Sequence, residues 1–193
     1  MLAVVLPELT PAALDAAKPV VDACPAGEEN LPVRWAALLG ALGEADTRRV
    51  LKRLRCSNAC IEETAVLVRE TAGEGVCEEK ASAHPGDIHL RQLLGRYGLR
   101  TVERLCALCA ALQPQNAPAC ALAAQRARQL EANGVCCRVR QLAVNGRDLM
   151  AAGIPAGPAL RRVLEALLDG VIRAEYPNEK TALLAAAQKI IAS

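Results

Sequence analysis

Between Pro158 and Arg173 the apolar residues fall at 160, 163, 164, 167, 168, 171 and 172. A spacing of three and four puts them on one stripe of an α-helix. The same spacing returns at Leu31, Trp35, Leu38, Leu39 and Leu42, at Val50, Leu51 and Leu54, and at Leu183, Leu184, Ala187, Ile190 and Ile191, which are expected to face inward. Composition supports helix as well. Aromatic residues are 2% of the chain and phenylalanine is absent, whereas strands favour aromatic and β-branched side chains. The core must be built from Leu, Val, Ile, Ala and Cys. The fold class expected is all-α.

Proline, glycine and short polar residues mark the boundaries. Pro11 suits the first turn of a helix over 11–23, and Cys24-Pro25-Ala26-Gly27 ends it. A second helix is expected over 31–42, between Pro32 and Gly43. Asp46 is placed to cap a third, running through Arg55. Ser57 or Asn58 is placed to cap a fourth, running to about Thr71. Residues 72–87, with Gly73, Gly75, Pro85 and Gly86, read as a loop. Helices follow over 87–95, broken by Gly95 to Gly98, over 99–112, and over 116–133, stopped at Asn133-Gly134. After 135–143 come a helix over 158–173 and a last one starting at Pro177-Asn178. The pattern predicts an elongated array of short helices, divided into parts over 1–134 and 135–193.

Net charge is only +2, but residues 1–30 carry −4, residues 91–137 carry +4 and residues 138–193 carry +3. A basic C-terminal half suits an anionic partner; it also suits an ordinary solvated surface. Nine cysteines, an odd number, and an apolar Met1–Leu6 stretch without a basic flank point to reduced thiols and a cytoplasmic chain. No apolar run approaches the roughly 18 residues of a membrane span. Cys106-x-x-Cys109, with His84 and His89 upstream, raises zinc or redox chemistry. The pair lies in a helix whose apolar stripe includes Leu105, Leu108 and Leu112, so buried thiols acting as small hydrophobes are expected instead, and no metal site.

One segment suggests a binding site. Val144-Asn145-Gly146-Arg147-Asp148-Leu149-Met150, followed by Gly153-Ile154-Pro155-Ala156-Gly157-Pro158, reads as helix, glycine-rich turn, helix. Backbone N–H groups at such a helix start face outward, where a phosphate sits well. Arg161 and Arg162 follow one turn in. The candidate RNA contacts are Asn145, Gly146, Arg147, Gly153, Gly157, Arg161 and Arg162. The competing reading is a tight turn whose glycines serve packing, with Asn145 and Asp148 as cap and turn holder. Arg48, Arg49, Lys52, Arg53 and Arg55 form a basic run on one helix. Arg91, Arg96, Arg100, Arg104, Arg126 and Arg128 are more dispersed. Either set fits an RNA backbone or a solvated face. Scarce aromatics argue against single-strand binding, which needs stacking platforms, and leave folded RNA recognised by shape and phosphates.

These residues carry a resemblance. Leu31-Pro32-Val33-Arg34-Trp35-Ala36-Ala37-Leu38-Leu39 resembles a body helix of bacterial tRNA nucleotidyltransferases, the CCA-adding enzymes and their poly(A) polymerase relatives. So do Leu54-Arg55-Cys56-Ser57-Asn58 and Leu67-Val68-Arg69-Glu70. The match is most specific from Leu142 through Asn145-Gly146-Arg147-Asp148-Leu149, Gly153-Ile154 and Gly157-Pro158 to Pro177-Asn178-Glu179-Lys180 and Leu183-Leu184. The resemblance implies a body and tail in which the tail holds the elbow of tRNA, so tRNA is the partner expected, with no membrane and no small-molecule substrate.

Two family features are missing from these residues. The catalytic head's Gly-Gly-x-x-Arg-Asp stretch and Asp-x-Asp carboxylates do not occur. Nucleotidyl transfer needs such carboxylates to hold Mg²⁺, so the resemblance implies no catalytic residue and no cofactor here, with Mg²⁺ expected only alongside a head. The alternatives are the tRNA-binding portion of a larger enzyme of 3′-end CCA addition, and a separate helical protein-interaction module. CCA addition and A addition are not distinguished. Many members also carry a Leu-Leu-His-Asp-x-Gly-Lys metal site in the body. Here Leu38-Leu39 leads into Gly40-Ala41-Leu42-Gly43-Glu44, and no histidine precedes His84, so phosphohydrolase chemistry is not expected.

Overall fold

The computed structural model describes residues 6–72 and 85–192. His84 and most of the loop expected over 72–87 lie outside them, as do residues 1–5. Among the described residues the regular elements are helical and no strand occurs. The α-helices are α1 (Pro11–Ala23), α2 (Leu31–Leu39), α3 (Gly43–Arg53), α4 (Asn58–Ala72), α5 (Pro85–Tyr97), α6 (Leu99–Leu112), α7 (Ala117–Ala132), α8 (Gly146–Ala151), α9 (Pro158–Ile172) and α10 (Lys180–Ala192). Packing groups Met1–Ala81 with Tyr97–Arg128 as a first unit, and Ser82–Arg96 with Gln129–Ser193 as a second.

In the first unit α2 is the hub, packing on α1, α4 and α6. Three neighbours need more than one stripe. Val33, Ala36, Ala37 and Leu39 are therefore buried, and Leu31, expected on the apolar stripe, is 45% exposed. The helix expected over 31–42 ends at Leu39 and tightens into a 3₁₀ turn at Gly40–Leu42. Leu6, Leu9, Leu39, Val50, Leu51 and Ile61 form a core, with Trp35 and Leu54 packed against it. Thr47 is buried there because its hydroxyl donates to the Leu39 carbonyl (3.3 Å). Asp46 does not cap α3; the helix begins at Gly43, and Asp46 in its first turn pairs with Arg49 (2.8 Å). Ser57 does take the cap position before α4, accepting from the Cys60 amide (3.3 Å).

The second unit has a core of Leu142, Val144, Leu149, Ile154, Val163, Leu167, Val171, Leu183, Ala186 and Ala187. Leu160, Leu164 and Leu168 pack on its edge, so the stripe on α9 faces inward as expected. α10 starts at Lys180 rather than at Pro177-Asn178, and Ile191 is 53% exposed rather than inward. Gly95 does not break α5, which continues to Tyr97. A methyl at Gly95 would run into the Cys137 carbonyl oxygen. The glycine is there for close approach, and the break comes at Gly98, whose φ is +81°.

Candidate nucleic-acid interface

The glycine-rich segment folds as helix, turn, helix, and its local chemistry dictates how. Asn145 lies in extended backbone before α8, and its Oδ1 accepts from the amides of Arg147 (2.8 Å) and Asp148 (3.2 Å). Asp148 returns the bond, its Oδ2 accepting from the Asn145 amide (3.0 Å). This reciprocal pair satisfies helix-start donors that have no partner within the helix. The other Asp148 oxygen, Oδ1, accepts from Lys180 Nζ at 2.6 Å. That bond, then the Asn145 backbone bond, hold the Asp148 carboxyl below the usual carboxylate range. Asn178 fastens the same region, its Oδ1 accepting from the Ala143 amide (2.8 Å) and its Nδ2 donating to the Gln141 carbonyl (2.9 Å).

α8 ends on Gly153, whose φ of +93° is the left-handed conformation that glycine adopts without penalty. The Ile154 amide donates to the Leu149 carbonyl (3.1 Å) and the Gly153 amide to the Met150 carbonyl (3.0 Å). This bond pair closes the helix end, and Leu149 and Ile154 both enter the core. The Gly153 and Ile154 amides are therefore occupied, which narrows the outward-facing donors to the stretch after Ile154. Pro155, Ala156 and Gly157 are exposed. Gly157 has φ +115° and open space beside its Cα. α9 starts at Pro158 with no side chain capping it, which leaves its positive end open to an anion.

The seven candidate contacts fall into three settings. The Asn145 side chain is engaged as the cap, and Gly146 is half-buried, with a Cβ there pressing on Leu160 at 3.3 Å. Gly153 and Gly157 shape the turn. Arg147, Arg161 and Arg162 are exposed, and Arg161 bonds Glu165 at 2.8 Å. Asn178 and Lys180 belong to this architecture too. Sequence reasoning takes Asn178 as the start of the last helix and both residues as part of the family resemblance, but not as fastenings of this turn, because bonds across 35 and 32 positions leave no local signal.

The other basic groups are mostly tied to carboxylates. Arg48 bonds Glu44 and Glu62, and Arg53 bonds Glu8 (2.9 Å). Arg104 is buried against Glu63, and Arg128 bonds Glu103. Arg91 donates to the Ile172 carbonyl, while its Nε is buried without a partner. Burial pushes the Cys106 thiol up to about 12, with Cys120, Cys109 and Glu103 adding to the shift. Cys106 is thus a neutral hydrophobe in the α6 core. Among the described residues no group of three or more His, Cys, Asp or Glu is placed to hold a metal ion. No helix there is long and apolar enough to cross a membrane.

Comparison with known proteins agrees with this architecture. A CCA-adding enzyme of Levilactobacillus brevis is 51% identical over 47 residues, which are 24% of this chain and 12% of that protein. The crystal structure of the Bacillus stearothermophilus CCA-adding enzyme in complex with CTP superposes with a TM-score of 0.67 and 26% identity. That match covers 86% of this chain and 39% of the other, so the chain spans about two fifths of the length of that enzyme. Residues 29–187 match the family described as tRNA nucleotidyltransferase domain 2. The chain belongs to the tRNA nucleotidyltransferase domain 2 family.

Proposed function

We propose that this chain is a tRNA-holding portion of a tRNA nucleotidyltransferase acting in 3′-end CCA addition, and that it carries none of the transfer chemistry itself. The observation that carries the reading is the exposed Pro155–Gly157 turn running into the uncapped start of α9, with Arg147, Arg161 and Arg162 exposed in the same unit. Open amides and guanidinium groups suit phosphate oxygens and position RNA without reading its sequence. Asn145, Asp148, Asn178 and Lys180 serve that surface by fixing its shape. Mg²⁺ would be held by the carboxylates of a catalytic head, for which these residues supply no equivalent. Arg161→Ala combined with Arg162→Ala should weaken tRNA binding several-fold and reduce the dependence of log K on log salt by about one unit for each phosphate no longer neutralised. Filter binding across a salt series measures this, and an unchanged slope removes those arginines from the interface.

A second reading has one observation in its favour. Ala13, Ala17, Ala37, Gly40, Val68 and Leu112 help line an open apolar groove of about 350 Å³ in the first unit, with Leu112 44% exposed. A protein-interaction module would use such a groove and would leave tRNA migration in a gel unchanged.

A further inference from the structure

A second pocket in the first unit, of about 360 Å³, has Arg100, Glu103 and Arg104 of α6, Arg128 of α7, and Glu29 and Asn30 among its lining residues. Positions 100, 103 and 104 share one face of α6. Two of the three guanidinium groups are already balanced: Arg104, 7% exposed, by Glu63, and Arg128 by Glu103. Arg100 is exposed, and no carboxylate among the described residues engages it. Glu29 accepts from Asn30 Nδ2 (3.3 Å), and no cation among the described residues engages it. The pocket thus offers one unbalanced cation and one unbalanced carboxylate.

That pattern separates two classes of ligand. A duplex backbone is a row of negative charges and requires a row of uncompensated cations, which these carboxylates deny. A compact ligand with an anionic end and a hydroxyl or amino end matches the two unbalanced groups. The volume lies at the lower end of small-molecule sites, which start near roughly 300 Å³. Pro25 and Ala107 give the pocket apolar wall. α6 also starts at Leu99 after Gly98, with no side-chain cap, so Arg100 lies in the first turn at its positive end.

We propose that this pocket binds a single nucleoside monophosphate unit, with the phosphate on Arg100 and the sugar or base donors toward Glu29 and Asn30. A free nucleotide and the terminal nucleotide of an RNA strand present the same chemistry. The inference is independent of the tRNA-holding surface, because it concerns the other unit and is tested with mononucleotides. Isothermal titration of the whole chain at low salt should show saturable binding of AMP, with adenosine and inorganic phosphate each much weaker. Arg100→Ala, an exposed substitution that leaves helix content intact by circular dichroism, should weaken AMP about tenfold. Glu29→Gln should narrow the preference for AMP over phosphate. An RNA hairpin with one unpaired 3′ nucleotide identifies the source: displacement of AMP assigns the pocket to a strand end, and coexistence with AMP assigns it to a free nucleotide. Absence of saturable AMP binding, or AMP binding that Arg100→Ala leaves unchanged, overturns the proposal.

Discussion

Gly95 shows how much one residue decides. A helix-interior glycine gives up about 1 kcal/mol of propensity relative to alanine, so Gly95→Ala would stabilise an isolated helix. In this fold the added methyl meets the Cys137 backbone carbonyl, which has no rotamer to change. Overpacking of this kind costs about 1–3 kcal/mol, and a backbone obstruction belongs at the upper end. Gly95→Ala should therefore destabilise the chain in urea titration; equal or greater stability would show that α5 does not lie this close to Cys137. Asp148 makes a second residue-scale prediction. Its carboxyl is depressed in the folded state, chiefly by the Lys180 bond. The associated stability is fully present above the unfolded carboxylate value of about 4 and fades as pH falls through the lower folded value. Wild type and Lys180→Met should therefore differ in stability at neutral pH and converge in acid. A gap that persists below the folded value would assign the contribution of Lys180 to packing.

At the scale of the element, α3, α7, α8 and α9 end by one device. The amide two residues past the cap residue bonds back five positions while the amide before it closes a shorter ring, as in Cys56 to Leu51, Val135 to Leu130, Ile154 to Leu149 and Glu175 to Gly170. The device needs a left-handed residue. Gly134 and Gly153 supply it after α7 and α8, whereas Arg55 (φ +57°) and Ala174 (φ +58°) hold it after α3 and α9 at a steric cost. Left-handed backbone costs a residue with a Cβ about 1–2 kcal/mol, part of which glycine returns through its freer unfolded chain. Ala174→Gly and Arg55→Gly should each raise stability by about 0.5–1 kcal/mol in denaturant titration. A decrease in either case would mean that the packing of the removed side chain outweighs the strain. The same comparison shows what is legible in the sequence. The stop at Gly134 is readable because glycine announces it; the ends near Arg55 and Ala174 are readable only from where the apolar stripe runs out, and nothing in the sequence marks those two residues as left-handed. The stripe of α9 is readable because it faces one core, while that of α2 misleads because three helices surround it. In the candidate site the cap at Asn145 is readable from spacing, but the Asn178 and Lys180 fastenings depend on bonds across more than thirty residues. Arg53 and Arg104, bonded to the distant Glu8 and Glu63, look available in the sequence for the same reason.

At the scale of the whole molecule, an aromatic-poor chain has to bury something other than rings, and cysteine fills part of that need. Cys24, Cys106, Cys120, Cys136 and Cys137 are all buried, and Cys106 at 3% and Cys120 at 1% exposure lie deep in the first unit. Burial raises the Cys24, Cys106, Cys136 and Cys137 thiols above their ordinary range, so each is both shielded and unwilling to form the reactive thiolate. Cys56, Cys60 and Cys109 are only half-buried. Their difference makes thiol chemistry a reporter of where the fold opens, because a shielded thiol reacts only through local or global unfolding. Among the described cysteines, brief treatment with a neutral alkylating reagent, followed by peptide mass mapping, should modify Cys56, Cys60 and Cys109 first. Modification of Cys106 and Cys120 should appear together, with a rate that follows the first unit's unfolding free energy across a urea series. Cys136 and Cys137 should follow the second unit in the same way. If the two pairs respond to urea in parallel, the units unfold as one cooperative body; if one pair labels earlier, the unit that carries it opens first. Rapid labelling of Cys106 in native buffer would contradict the packing of α6 on which the first unit's core depends.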